Sequence, residues 1–234
     1  MEEMEALLRS GLSALGLPEA AAAPMARYGQ LLLETNQVMN LTAITDPADV
    51  AALHFLDSAA LLNEVDFRDK TVADVGTGAG FPGLPLKIAE PSIRLTLLDA
   101  QGKRVRFLET VCRELGLDGV ECVHGRAEEF AAHRRESFDL VTSRAVAVLP
   151  VLSELCLPLV KVGGAFLAMK SVDSEAELEQ AAHALEILGG RVETLRDYRI
   201  PGTEVRHRLI VVKKMRKTPE KYPRAFAKIK KNPL

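Results

Sequence analysis

Four glycines within eight residues make the segment Asp74-Val75-Gly76-Thr77-Gly78-Ala79-Gly80-Phe81-Pro82-Gly83 the natural starting point. Glycine reaches positive φ without a Cβ penalty and lets a ligand approach the backbone closely. A helix that follows such a turn offers unpaired N–H groups to an anionic or polar group. Read from Gly78, the string Gly78-x-Gly80-x-x-Gly83 matches the dinucleotide-binding spacing literally. Asp99 stands 25 residues after Asp74, at the end of Arg94-Leu95-Thr96-Leu97-Leu98-Asp99. A carboxylate at that place accepts hydrogen bonds from ribose hydroxyls. Loop and acid together point to a nucleoside cofactor, and a nicotinamide stays open at this point.

Asp74 ahead of the glycines completes the pattern D-x-G-x-G-x-G. That pattern resembles the first motif of Rossmann-like methyltransferases, in which the turn receives the amino-acid end of S-adenosylmethionine. Farther along comes Gly125-Arg126-Ala127-Glu128-Glu129. In methyltransferases this region holds the adenine edge. Glu128 and Glu129 would equally favour the start of the next helix. Spacing alone leaves both readings open.

What is missing narrows the chemistry. Enzymes that methylate exocyclic amines carry an Asn/Asp-Pro-Pro-Tyr/Phe box after the fourth strand, and this chain has Thr142-Ser143-Arg144-Ala145. Cys156, in Glu-Leu-Cys-Leu-Pro, lacks the setting of a cytosine-C5 nucleophile and reads as a core cysteine. The acceptor expected is one that needs neither a general base nor a covalent intermediate, such as guanine N7. No catalytic side chain is assigned. His54, Asp57 and Ser58 share one helix face, which superficially suggests a hydrolase triad. A mid-helix serine has no sharp turn and no oxyanion hole, so the expected role is a hydrogen-bond cluster tying helices to the cofactor region.

These residues need a frame to position them. Leu7, Leu8, Leu12 and Leu15 predict a helix that Gly16 and Pro18 end. A second helix is expected over 24–39. A third begins at Pro47 behind an Asp46 cap and carries on through His54, Phe55 and Leu61. From Thr71 onward, strands alternate with helices. Strands are expected at 71–75, 94–99, 120–124, 138–142 and 165–169, with helices from 84, over 103–115, over 127–133 and over 150–160. Ser174-Glu175-Ala176-Glu177 reads as a capping box, and Gly189-Gly190 as the stop of its helix. Strands near 191–199 and 207–213 follow one another without a helix, so they are expected to pair antiparallel. Regular alternation of this kind means an α/β fold with a mostly parallel sheet. The expected organisation is a helical extension over 1–66, an α/β domain over 67–214 and a basic tail over 215–234.

Composition agrees with an ordinary globular chain: 234 residues, 47% hydrophobic and 26% charged. No apolar run reaches the ~18 residues of a membrane span. The start, Met1-Glu2-Glu3-Met4-Glu5, is acidic where a targeting peptide is basic. Three cysteines without metal-ligand spacing fit a reducing cytoplasm. Charge is distributed unevenly. Residues 213–234 carry seven lysines, two arginines and one glutamate, a net +8, which leaves −10 on the remainder of a chain of net −2. A basic tail on an acidic body suggests contact with a polyanion, against the alternative of a solvated terminus.

Taken in order, several motifs resemble one family, the bacterial small-subunit rRNA guanine-N7 methyltransferases, also called glucose-inhibited division protein B. They are Asn40-Leu41-Thr42-Ala43-Ile44, His54-Phe55-Leu56-Asp57-Ser58, Asp74 through Leu86 and Leu97-Leu98-Asp99. Lys103 through Leu108, Ser143-Arg144-Ala145-Val146, Tyr222-Pro223-Arg224 and Pro233-Leu234 follow. The resemblance implies a Rossmann-like S-adenosylmethionine-dependent fold and methylation of one guanine in small-subunit (16S) rRNA. It places Gly76, Phe81, Ala127, Glu128 and Arg144 around the cofactor. With the loop and its acids, the expected cofactor set adds Asp74, Gly78, Asp99, Ala100 and Gln101. The RNA side is expected at Arg144, Lys170, Arg206 and Arg224, with Lys228, Lys230 and Lys231 in the tail. Tyr222 and Phe226 are read either as stacking surfaces or as pins holding the tail to the body. Removal of 217–234 is expected to weaken RNA binding and leave cofactor binding alone. One departure from the family pattern is Lys170-Ser171, where Lys-Gly is usual. The alternatives are a nicotinamide-dependent oxidoreductase and a non-catalytic RNA-binding or assembly protein. A monomer is favoured.

Overall fold

The computed structural model describes residues 2–144 and 146–234. Met1 and Ala145 lie outside them, the latter within the Ser143–Val146 motif. Strands β1 (Thr71–Val75) and β2 (Arg94–Asp99) are buried on both faces except at their first residues. Burial on both faces explains their continuous apolar runs, since helices cover each side of a parallel sheet. β3 (Val120–His124), β4 (Phe138–Arg144) and β5 (Val160–Ser171) extend the parallel set. β6 (Gly190–Arg199) and β7 (Arg206–Lys214) follow without a helix between them. The seven strands lie in the order β3-β2-β1-β4-β5-β7-β6, with β7 antiparallel to both neighbours. Neighbours β1 and β4 continue to opposite sides of the sheet, so the loops leaving them part at its carboxyl edge. In open α/β sheets that crevice is where ligands bind.

Helices α5 (Gly83–Ala89), α6 (Gly102–Leu115), α7 (Ala127–His133), α8 (Leu149–Cys156) and α9 (Glu175–Leu188) connect the strands. Local expectations change at several places, and β5, expected over 165–169, runs Val160–Ser171. The helix expected over 150–160 stops at Cys156, because Pro158 cannot continue it, and Val160 already belongs to β5. The capping box at Ser174 does not form. Glu177 turns instead to the Leu149 N–H at 2.8 Å and to Lys170 at 2.7 Å, while Ser174 Oγ finds no partner among the described residues. Tertiary partners outweigh the local motif there.

The N-terminal layer holds α1 (Glu2–Ala14) and α2 (Ala22–Met39). Met4, Leu8, Gly11 and Leu12 form the buried stripe of α1, and Leu7, expected in it, is exposed. Asp46 accepts from the Ala48 and Asp49 N–H groups at 2.9 and 3.1 Å, the cap expected for α3 (Pro47–Val50). Its chain continues through widened turns over Ala51–Leu56 into α4 (Asp57–Ala59) and a tight turn over Ala60–Asn63. Leu8, Met25, Tyr28 and Phe55 share one apolar core with Leu84, Leu97, Phe107 and Leu209, so this layer packs on one sheet face. Phe138, Val141, Leu152, Phe166 and Ile210 form the core of the other face. Tyr222 and Ile229, from the basic tail, belong to that second core. The tail is docked and ends in α10 (Phe226–Lys231). Among the described residues no helix is long and apolar enough to cross a membrane.

Candidate active site

The glycine loop leaves β1 with positive φ at Gly76, Gly78 and Gly80, at 68°, 62° and 104°. Gly76 and Thr77 donate to the Leu98 carbonyl, which pins the turn to the end of β2. Asp74 was expected to meet the cofactor, but it is fully buried beneath the loop. Its carboxyl accepts from the Thr77 hydroxyl at 2.6 Å, the Gly83 N–H at 2.9 Å and the Thr142 hydroxyl at 3.1 Å. Burial raises its pKa to about 6 against the pull of those hydrogen bonds. Asp74 therefore shapes the turn from below. Asp99 reaches the turn from the side, accepting from the Gly78 N–H at 2.9 Å and the Gln101 N–H at 2.8 Å. Arg104 approaches it at 3.5 Å.

A cavity of about 170 Å³ opens beside the turn. Gly76, Ala100, Ala127 and Glu128, four of the expected cofactor residues, line it together with Leu98, Val146 and Leu155. Phe226 closes it from the tail. No local signal in the sequence points to that wall, since Phe226 reads there only as a stacking or pinning group for the tail. The expectation that removing 217–234 leaves cofactor binding alone therefore meets a tail residue in the wall beside the glycine turn. Gly78, Asp99, Gln101 and Arg144 lie outside the cavity walls. At Gly78 the position a Cβ would take is open, with Gly76 O the nearest atom at 4.0 Å.

Phe81 also moves from its expected place. Its ring, 4% exposed, is stacked between Tyr28 at 5.3 Å and His54 at 4.6 Å, with Phe55 edge-on. The Tyr28 hydroxyl donates to the Ala79 carbonyl. Phe81 thus locks the loop to the N-terminal layer instead of facing the cavity. The physical cause is an aromatic cluster contributed by α2 and the residues before α4 that no local pattern announces.

On the other side of the β4 terminus lies a second cavity, of about 470 Å³, lined by His54, Asp57, Arg144, Lys170, His207 and apolar neighbours. Asp57 is fully buried and takes donors from Arg144 at 3.1 Å, Tyr198 at 2.8 Å and His207 at 2.8 Å. Arg144 also donates to the Leu53 carbonyl and lies 3.0 Å from His54 Nδ1. A guanidinium has no lone pair to offer, so Nδ1 is the acceptor and Nε2 carries the proton toward Thr42 Oγ1 at 2.8 Å. Burial, then Arg144, lowers the His54 pKa to about 4. The hydrogen bond to Asp57 raises that of His207. Ser58 gives its hydroxyl proton to the His54 carbonyl, and the triad geometry is absent. The cluster joins helices to sheet, as its spacing predicts.

Of the expected RNA residues, Arg144 and Lys170 border this cavity, and Lys170 is held by the Ala147 carbonyl and Glu177 at 2.7 Å each. Arg206 is exposed at the start of β7. Arg224 is committed elsewhere. It forks onto the fully buried Glu154 at 2.8 and 2.6 Å, an internal anchor for the tail. Arg135 adds hydrogen bonds to the carbonyls of Thr218, Pro219 and Tyr222.

With this geometry in hand, comparison with known proteins is informative. The family model for rRNA small subunit methyltransferase G (GidB) matches residues 21–206. A ribosomal RNA small subunit methyltransferase G from an Exiguobacterium species is 46% identical over 234 residues, covering 99% of this chain and 97% of the relative. That of Geobacillus kaustophilus is 48% identical over 221 residues, 93% of each chain. Among solved structures, TrmN from Thermus thermophilus superposes with a TM-score of 0.54 at 21% identity, over 68% of this chain and 48% of that one. The M. jannaschii TYW2 complex with AdoMet gives 0.56 at 12%, over 69% and 76%. At such identities these two likenesses speak to the fold.

Proposed function

The chain belongs to the rRNA small subunit methyltransferase G family, and from that premise we propose that it transfers a methyl group from S-adenosylmethionine to N7 of one guanine in small-subunit (16S) rRNA. The observation that carries this reading is the pair of cavities flanking the β4 terminus, one small beside the glycine turn, one larger and edged by Arg144 and Lys170. S-adenosylmethionine supplies a sulfonium methyl. The N7 lone pair forms the new N–C bond as the S–C pair stays on sulfur, and no proton leaves.

The residues fit that cofactor. Gly76, Ala100, Ala127 and Glu128 enclose a base-sized space against apolar walls. Gly78 leaves its Cβ position open for the amino-acid end. Asp99 already holds two N–H groups, and a carboxylate has about four lone-pair sites, so ribose hydroxyls still find acceptors. Gln101 positions Asp99 through its N–H. Asp74 and Phe81 act through the loop, one from below and one from the helical layer. On the acceptor side, Arg144 and Lys170 present donors suited to a guanine edge or a phosphate. Arg206 adds a cation at the outer rim. The chain's contribution is orientation in a partly enclosed crevice, with no side chain required as a base. The substrate places the enzyme in the cytoplasm.

The test is methyl transfer from labelled S-adenosylmethionine to purified ribosomal RNAs. Label entering the small-subunit RNA, and lost in Asp99→Ala, supports the reading. Nicotinamide binding without S-adenosylmethionine binding would favour an oxidoreductase, and RNA binding without transfer an assembly role.

A further inference from the structure

The last helix has two faces with different chemistry. Phe226 and the buried Ile229, three residues apart, face inward, and Phe226 forms a wall of the cavity beside the glycine turn. Lys228, Lys230 and Lys231 are exposed. The approach to the helix is firmly tied down: Tyr222 is buried, and Arg224 forks onto Glu154. Glu154 sits one residue before Leu155, another wall of the same cavity. Beyond that anchor, Ile229 is fully buried and the Arg224 guanidinium donates to the Asn232 carbonyl at 3.1 Å. Phe226 is half-buried, with the Arg126 guanidinium 6.0 Å from its ring centroid.

A helix of six residues has no stability of its own, since nucleation costs more than one turn returns. What α10 touches decides whether it docks. Three lysines within four residues repel one another, and Lys228 and Lys231 are helix-face neighbours. A polyanion across them relieves that repulsion. A base in the cavity gives Phe226 an additional contact on the opposite face. Both ligands favour the same docked helix, and ligands that favour one state bind with positive, reciprocal coupling.

We propose that α10 is a coupling strap: Phe226 is a cofactor-binding residue, and RNA phosphates on Lys228, Lys230 and Lys231 tighten cofactor binding through it. This rests on the reading of the two ligands given above. It accounts for a terminus that is both strongly basic and folded into a cavity wall.

The experiment is calorimetry of S-adenosylhomocysteine with the full chain, at one fixed salt concentration, with and without saturating 16S rRNA. For the wild type, RNA should tighten S-adenosylhomocysteine by about fivefold or more. Phe226→Ala should weaken it by about five- to one-hundredfold without RNA, the range of base–aromatic contacts. Phe226→Tyr, which keeps the wall, should stay near the wild type and guards against misfolding. The triple variant Lys228→Gln, Lys230→Gln, Lys231→Gln should lose the RNA-induced gain. A folded Phe226→Ala with wild-type affinity overturns the strap, as does a triple variant that keeps the full gain. A wild type that binds no S-adenosylhomocysteine at all would instead overturn the underlying methyltransferase reading.

Discussion

Arg144 donates to Asp57 Oδ2 at 3.1 Å, tying the carboxyl end of β4 to the N-terminal helices across 87 residues of chain. The arginine side chain is 16% exposed and Asp57 is fully buried, so the pair is largely shielded from water. Asp57→Ala strands the guanidinium and also removes the acceptor used by Tyr198 and His207. Breaking one side of a buried pair costs about 3–5 kcal/mol. Urea unfolding should show a loss in that range, with Asp57→Asn milder. A loss below about 1 kcal/mol would mean that the network contributes little.

His54 should report on the same network through pH. Its pKa falls to about 4 in the folded chain, below the ordinary value near 6.5. Between those values the unfolded chain takes up a proton that the folded chain refuses. Stability contributed by neutral His54 is therefore complete above pH 6.5 and is lost as pH falls toward 4. The stability advantage of wild type over His54→Asn should shrink on the order of 2–3 kcal/mol across that window. Imidazole NMR provides the direct check, with His54 titrating near pH 4 and His207 above its usual range. A His54 that titrates near 6.5 contradicts the acceptor role of its Nδ1.

Two glycines of the same turn should respond differently to alanine. At Gly78 the Cβ meets open space, so Gly78→Ala costs only the left-handed backbone, about 1–2 kcal/mol. Its larger effect should appear in S-adenosylmethionine affinity, because the methyl enters the side left open for the ligand. At Gly80 the Cβ would lie 2.4 Å from the Tyr28 hydroxyl and 2.7 Å from a Leu84 methyl. Overpacking adds to backbone strain there, for about 2–5 kcal/mol in total. Thermal unfolding and calorimetry on both variants separate the two cases. Equal stability losses would refute the distinction.

Asp99→Ala should weaken S-adenosylmethionine binding by about 1.5–3 kcal/mol, the range of a hydrogen bond to a charged group. Part of that loss comes through Gly78, whose N–H it holds. Asp99→Asn, which keeps one acceptor oxygen, should recover some of it. A folded Asp99→Ala variant with unchanged affinity in calorimetry would remove Asp99 from the site.

Much of the sheet was legible because its strands are short apolar runs punctuated by glycine and acid. Strands β1, β2 and β3 begin and end where those patterns place them. The Asp46 cap was legible for the same local reason. The packing of Asp74, Phe81 and Arg224 was not legible because their partners come from far along the chain. Thr142 lies 68 residues from Asp74, and Glu154 lies 70 from Arg224. Tyr198 and His207 were missed at Asp57 for the same reason, being 141 and 150 residues away. Phe226 shows the limit most sharply. Phe226 reads, like Tyr222, as a stacking or pinning group in a basic tail, and only the folded chain sets it in the same cavity wall as Gly76.

The identity of the atom that receives the methyl group distinguishes this chemistry from every alternative. Purified enzyme, S-adenosylmethionine and small-subunit rRNA should yield a single modified nucleoside on digestion and mass spectrometry, with cleavage of the alkylated base localising it. N7-methylguanosine is expected at one site, formed in single turnover at a rate nearly flat across neutral pH because no proton is removed. Methyl on an exocyclic amine or a pyrimidine carbon, or a rate rising with slope one on a single side-chain pKa, would contradict it.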